Sequence, residues 1–399
     1  MEILQRRKQN FRAKKILIAV LTLFIFTSNN HLIFGQDSYY PPKHQWEINS
    51  SFAKKHQKEL QQLIDFAQDN EYSGDKDLRI AILKGFAREP FHEILGPTKK
   101  RGGPAGMIIK SGKIVAKWGE TDRVDMTFSV TKSFLATTAG LAYDQGLLPD
   151  FDHQVKDYIW DGTFRGAHNE QITWKHLLHQ TSDWSGSLWG IRDWADRPPR
   201  EGGIDDWKYR ELQTPGTVME YNDVRVNVLA YALTHLHRKP LPQVLKPLMD
   251  QIGASDTWRW FGYEKAYTLI DGVQMQSVTG GGHSGGGLFI SAEDLARLGL
   301  LYANNGVWNS TQVLSSSFIE KAITPSEPNP NYGFMWWLNQ EGGRYWEGVP
   351  KHVFYAAGFG GNFIIVDQEE ELVVVLRWLE PQKVSDFMKL LYQQLFPKR

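Results

Sequence analysis

The 399-residue chain contains no cysteine. That excludes disulfides, thiolate metal sites, a cysteine nucleophile and a lipid-modified N-terminal cysteine. Its net charge is zero, with 45 basic and 45 acidic residues, and no lysine- or arginine-rich stripe stands out. Nucleic acid is therefore not an expected partner. No apolar run reaches the roughly 20 residues that a membrane-spanning helix needs. The longest near the N-terminus, Ile16 to Phe26, has eleven residues and follows a basic stretch of Arg6, Arg7, Lys8, Arg12, Lys14 and Lys15. That pattern suits an export signal, with cleavage near Gly35 or Gln36, and predicts a periplasmic or secreted protein. An uncleaved anchor is the alternative; after cleavage no stable membrane insertion is expected. There is no internal repeat and no low-complexity tract.

What is present begins with the stretch Met126 to Gly146. Ser129 and Lys132 stand three residues apart at the start of an apolar helical pattern carried by Phe134, Leu135, Thr138, Leu141 and Ala142. On a helix they share one face, one turn apart. A serine hydroxyl becomes a nucleophile when a neighbour takes its proton, and a lysine can do so if burial or nearby charge lowers its pKa. Ser-x-x-Lys occurs twice more, at Ser51/Lys54 and Ser73/Lys76. The first reads as a helix N-cap and the second lies in a polar loop, so only Ser129 is set in an apolar helix.

The pattern of periods divides the chain. Residues 1–36 read as the signal and 37–104 as a helical extension and linker. Residues 105–145 and 270–399 carry most of the period-2 runs and form an α/β domain. Residues 146–269 are mainly helical, with a long loop from Trp184 to Gly203. Ala105–Lys110 and Lys113–Trp118 predict a hairpin around Ser111-Gly112. The expected fold class is α/β: an antiparallel sheet flanked by helices, with a mostly helical insertion.

A Ser-Lys site needs a second proton-handling group and an oxyanion hole. No Ser-Asp-Asn occurs. Tyr302-Ala303-Asn304 matches Tyr-x-Asn literally but continues an apolar helix face, so the match reads as chance. Tyr221-Asn222-Asp223 follows Pro215-Gly216 and opens a helix, and is the better candidate.

In order and approximate spacing, SVTK at 129–132, LLHQTSDWSGSLWG, PGTVMEYNDVRVN, GGGHSGGGLFISAEDLARLGLL and AAGFGGNFIIVDQEEELVVVLRW resemble the class C β-lactamase-like serine hydrolases. That superfamily includes β-lactamases, penicillin-binding D-Ala-D-Ala carboxypeptidases, family VIII-type esterases and 6-aminohexanoate-dimer hydrolases, and the last branch is the most similar. The resemblance covers about residues 105–380 and implies a β-lactamase/DD-peptidase-like fold. It implies Ser129 as nucleophile, Lys132 as its proton acceptor and Tyr221 as a second acid/base. It also implies an oxyanion hole made by the backbone N–H groups of Ser129 and Phe359. The strand edge at Ala357 and Gly358 would then lie along the substrate.

Two departures stand out. Ala356-Ala357-Gly358 replaces the Lys-Thr-Gly or His-Thr-Gly of many relatives, removing the cation that would hold a substrate carboxylate. This favours an amide or ester substrate over a penicillin or a D-Ala terminus. A carboxypeptidase or weak β-lactamase would need another anchor, such as Arg192, Lys351 or His352. Asp223 replaces the final Asn of the tyrosine element, and could turn outward or bind a substrate amine. Asp183, Trp184, Trp189 and His283 are further candidates for lining the pocket. His176 and His179 lack a third ligand, so no metal is expected, and no organic cofactor is implied. A binding domain that kept the fold without chemistry is the reading from another class.

Overall fold

Ser111 and Gly112 both take left-handed backbone angles, φ +50° and +76°. A two-residue turn between right-twisted strands requires this. They join β1 (Ala105–Lys110) to β2 (Lys113–Trp118), at the bounds that the pattern predicts. The computed structural model describes residues 39–341 and 345–397. The expected export signal, 1–36, lies outside them. Among the described residues, no helix is long and apolar enough to cross a membrane.

Four more strands complete the main sheet: β3 (Trp337–Leu338), β4 (Phe354–Gly358), β5 (Asn362–Asp367) and β6 (Leu372–Arg377). All neighbours are antiparallel, in the order β3-β4-β5-β6-β1-β2. Strands from the two ends of the chain meet where Ala105 pairs with Arg377. Successive strand side chains point to opposite faces. Met107, Ile364 and Val375 therefore enter one core, and Ile108, Ile365 and Val374 the other.

Helices cover both faces. In chain order those used below are α1 (Gln57–Asp69), α2 (Leu78–Gly85), α3 (Thr131–Asp144), α4 (Asp223–His237), α5 (Ala292–Ala303) and α6 (Val384–Leu395). On one face α5 crosses β1, β5 and β6; on the other α6 packs with α1, which also touches β2. The described residues belong to one compact unit. Every residue of α3 from Thr131 to Gly140 is buried. A helix buried all round lies inside a core, not on its surface. Lys132 is thus carried into the interior, between α4 and the edge of β4.

Candidate active site

The turn before α3 is strained. Phe128 takes φ +51°, a conformation that costs a bulky residue on the order of 1–3 kcal/mol. Packing holds it there: the Phe128 ring is buried, 5.1 Å from that of Phe359 and edge-on to Trp378. A short three-stranded sheet (Asp125–Met126, Gly287–Ile290, Arg259–Phe261) leads into the turn. Thr127 N–H donates to Leu288 O at 3.0 Å, and Thr131 Oγ1 accepts from Leu288 N–H at 3.1 Å. Ser129 is left half-buried at the start of the helix. One turn on, Lys132 Nζ donates to Ser129 Oγ at 2.8 Å.

The edge of β4 presses against this turn. A Cβ at Gly358 would lie 2.3 Å from Thr127 O and 3.2 Å from Ser129 N. Only glycine permits that approach, which sets the Gly358-Phe359 backbone beside that of Ser129. Ala357, Gly358 and Phe359 remain half-buried.

Tyr221 arrives from the third side, immediately before α4. Asn222 is the N-cap of that helix: its side chain accepts from Arg225 N–H at 3.0 Å and donates to Asp193 O at 2.8 Å. The cap fixes the helix start and with it Tyr221, whose ring stacks on Trp337 at 5.7 Å. Lys132 Nζ lies 4.7 Å from the centre of the same ring. Ser129, Lys132 and Tyr221 are brought together.

Asp223 turns inward. Its Oδ1 accepts from Lys132 Nζ at 2.5 Å and its Oδ2 faces Arg197 Nη2 at 2.6 Å. Burial works against the charge on Lys132, but Asp223 together with Tyr221 outweighs it and holds the amine pKa above its ordinary value. Burial likewise opposes ionisation of Asp223, while Lys132 and then Arg197 hold its pKa well below the usual carboxylate range. In the resting site Lys132 is an ammonium and Asp223 a carboxylate. Sequence reasoning expected burial to lower the lysine; the burial is there, and the aspartate reverses it.

Asp196 and Arg197 complete the cluster, and neither was expected from the sequence. Arg197 Nη1 pairs with Asp196 Oδ1 at 2.7 Å, and its guanidinium lies 5.2 Å from the Tyr221 ring centre. Asp196 Oδ2 accepts from Asp223 N–H. Burial, with the like charge of Asp223, pushes the Asp196 carboxyl up to about 6 against the pull of Arg197. Burial also opposes the charge on Arg197, which Asp196 and Asp223 hold firmly protonated.

The remaining candidates divide. Trp189, Asp223 and His283 line one cavity of about 270 Å³, next to Glu89, His92 and Asp196. Ser129, Lys132 and Tyr221 do not line that cavity. Asp183 and Trp184 are withdrawn into the interior, which corrects the expectation that they line the pocket. Asp183 is 4% exposed and is held by Arg210 and by Arg225, the latter at 2.6 Å. Trp184 is buried in the main core with its indole N–H on Thr163 O at 2.8 Å. Arg192 is exposed over Trp194, Lys351 pairs with Glu341 at 2.6 Å, and His352 with Asp367 at 2.9 Å. His176 closes a capping box with Thr173, and burial lowers the His179 pKa to about 3. Tyr302 is fully buried and its hydroxyl meets Thr137 Oγ1 at 3.0 Å.

The model of the family described as Beta-lactamase matches residues 89–382. The chain belongs to the β-lactamase family. The match takes in the Ser129 turn, Tyr221, the glycine-rich loop and the β4 edge. Among solved structures, the β-lactamase-family fold of this chain is similar to a Bacillus anthracis protein named for 6-aminohexanoate-dimer hydrolase. The two share 18% identity over 73% of this chain and 77% of that one, with a TM-score of 0.52. EstCE1, a hydrolase with promiscuous acyltransferase activity, has 15% identity over 87% and 99% of the two chains, with a TM-score of 0.54. A β-lactamase/D-alanine carboxypeptidase from Pseudomonas syringae has 14% identity over 81% and 99%, with a TM-score of 0.52. At such identities the likeness is one of fold. No curated protein sequence matches.

Proposed function

We propose that the protein is an exported serine hydrolase that cleaves an amide or ester bond through an acyl-enzyme. The observation that carries this reading is the 2.8 Å contact of Lys132 Nζ with Ser129 Oγ, with the Tyr221 ring 4.7 Å from the same nitrogen. Once Lys132 has lost its extra proton, it takes the proton of the Ser129 hydroxyl as Oγ bonds to the carbonyl carbon. The oxyanion that forms is met by the N–H groups of Ser129 and Phe359, donors of a kind worth roughly a hundred- to thousandfold in rate. Tyr221 gives a proton to the leaving nitrogen or oxygen as its bond to the acyl carbon breaks. Water then attacks the acyl carbon and gives a proton to the Tyr221 phenolate; the bond to Ser129 Oγ breaks, Oγ regains the proton held by Lys132, and the acid leaves. Export rests on the basic and apolar pattern of residues 1–36 and places the activity in the periplasm or outside the cell.

The cations around the site favour neutral substrates. Arg197, beside the Tyr221 ring, is already paired with Asp196 and Asp223. On β4, the buried Ala356 and the half-buried Ala357 stand where a cation would be needed to hold a substrate carboxylate. Activated short-chain esters and linear amides are therefore expected to turn over faster than a chromogenic cephalosporin. The test is Ser129→Ala: hydrolysis should vanish while the melting temperature stays at the wild-type value. Undiminished turnover by the purified variant would end the acyl-enzyme reading.

A further inference from the structure

We propose that Glu89, His92 and His283 form a binding site for a divalent transition-metal cation. All three line the 270 Å³ cavity, which Asp223 also lines. The ligating atoms of Glu89, His92 and His283 lie within 4.8 Å of one another, as do those of Asp196, Asp223 and His283. The side chains are buried: 6% of His92, 7% of Glu89, 6% of His283 and 2% of Asp196 is exposed.

The spacing fits an ion. Zinc bonds of about 2.0–2.1 Å at tetrahedral angles put neighbouring ligand atoms roughly 3.3–3.5 Å apart. His92 Nδ1 is 3.5 Å from Glu89 Oε2. The two imidazole rings stand 5.1 Å apart, centre to centre, and 76° to one another. One contact is too short: His283 Nε2 and Glu89 Oε2 are 2.5 Å apart, a hydrogen bond that an ion would open and replace.

The surroundings favour positive charge. Glu89, Asp196 and Asp223 bring three carboxylates to the cluster, against the cations Lys132 and Arg197. With Nε2 on the ion, His283 presents Nδ1 to Asp223 Oδ2, 3.4 Å away, the outer carboxylate that metal-bound histidines commonly have. Arg197 Nη2, 3.1 Å from Nδ1, would turn wholly onto its aspartates. Imidazole and carboxylate donors without thiolate suit Zn²⁺, Co²⁺ or Mn²⁺.

The experiment is a calorimetric titration of the chelator-treated full chain with Zn²⁺, repeated with Co²⁺ while visible absorption is recorded. The expected result is one saturable equivalent, a tetrahedral Co²⁺ spectrum, and binding weakened at least roughly tenfold in Glu89→Gln and in His92→Ala. Ser129→Ala should bind the ion as the wild type does, which separates this site from the acyl-enzyme reading. If His92→Ala fails to fold by circular dichroism, His92→Asn takes its place. Absence of a one-equivalent site in the wild type, or wild-type affinity in the folded Glu89 and His92 variants, would overturn the proposal.

Discussion

Lys132 Nζ and Asp223 Oδ1 lie 2.5 Å apart, with 1% and 3% of their side chains exposed. Each ion is there because the other is: alone, either would neutralise on burial. The pair joins the nucleophile helix α3 to the start of α4, so the proton state of the site and its architecture depend on one contact. In the Tyr-x-Asn pattern an amide takes this place. Here a full negative charge replaces it and is balanced on its far side by Arg197.

The charge has a consequence for pH. Attack by Ser129 needs Lys132 neutral, and Asp223 keeps the amine above its ordinary 10.5. The acid limb of kcat/KM should therefore sit in the alkaline range. In Asp223→Asn, burial is left as the main influence on Lys132, and burial lowers an amine pKa. The acid limb should move down by roughly one to three pH units, raising relative activity near neutrality. A pH profile of kcat/KM for both forms checks this. A limb that does not move would remove Lys132 from the proton acceptor's role.

Tyr221→Phe keeps the ring on Trp337 and loses only the hydroxyl. If that hydroxyl delivers the leaving group's proton, kcat should fall by about 10²–10⁴ while KM and melting temperature hold. The loss should be smallest for an activated ester, whose leaving group needs no proton. Rates within a few-fold of wild type on a plain amide would assign the proton transfer elsewhere.

Regular elements were legible because their signal is local. Ala105–Lys110 and Leu372–Arg377 are short apolar, β-rich runs buried on both faces, and Ser111-Gly112 is the turn that hairpins select. Ser129, Lys132, Tyr221 and the β4 edge could be read as an ordered set. Asp183 and Trp184 could not: their loop folds back into the core, where Arg225 and Thr163 O wait, and nothing adjacent in sequence says so. Asp196 and Arg197 precede two prolines and look like loop surface, yet they meet Asp223 in space. Glu89 and His283 are 194 positions apart. Charges that find their partners across the fold leave no periodic trace.

Asp183 is a test of that difference. Burial opposes its ionisation, but Arg210 and Arg225 hold its carboxyl below the ordinary 3.8. The stability it contributes is present above that value and is lost as pH falls through the lower folded one. Asp183→Asn removes one charge-assisted partner from Arg225, which keeps Asp193 and Glu220, and should destabilise by about 1–3 kcal/mol, read by urea unfolding. KM of the folded variant should not change. A raised KM with normal stability would return Asp183 to the substrate.

Gly281 controls the pair from its open side. A Cβ there would lie 1.9 Å from Asp223 Oδ1 and 2.5 Å from Lys132 Nζ. Neither atom is free to retreat, since Asp223 is held by Arg197 and Lys132 by Ser129. Gly281→Ala must shift the glycine-rich loop or prise the ions apart. Overpacking of this kind destabilises by about 1–3 kcal/mol, and kcat/KM should drop more than tenfold as Lys132 leaves Ser129. Gly103→Ala is the control, because its Cβ would meet nothing within 4 Å; it should stay within about 0.5 kcal/mol of wild type. If the two variants are equally active and equally stable, the loop yields freely, and the contact between Lys132 and Asp223 is not what sets the geometry of the nucleophile.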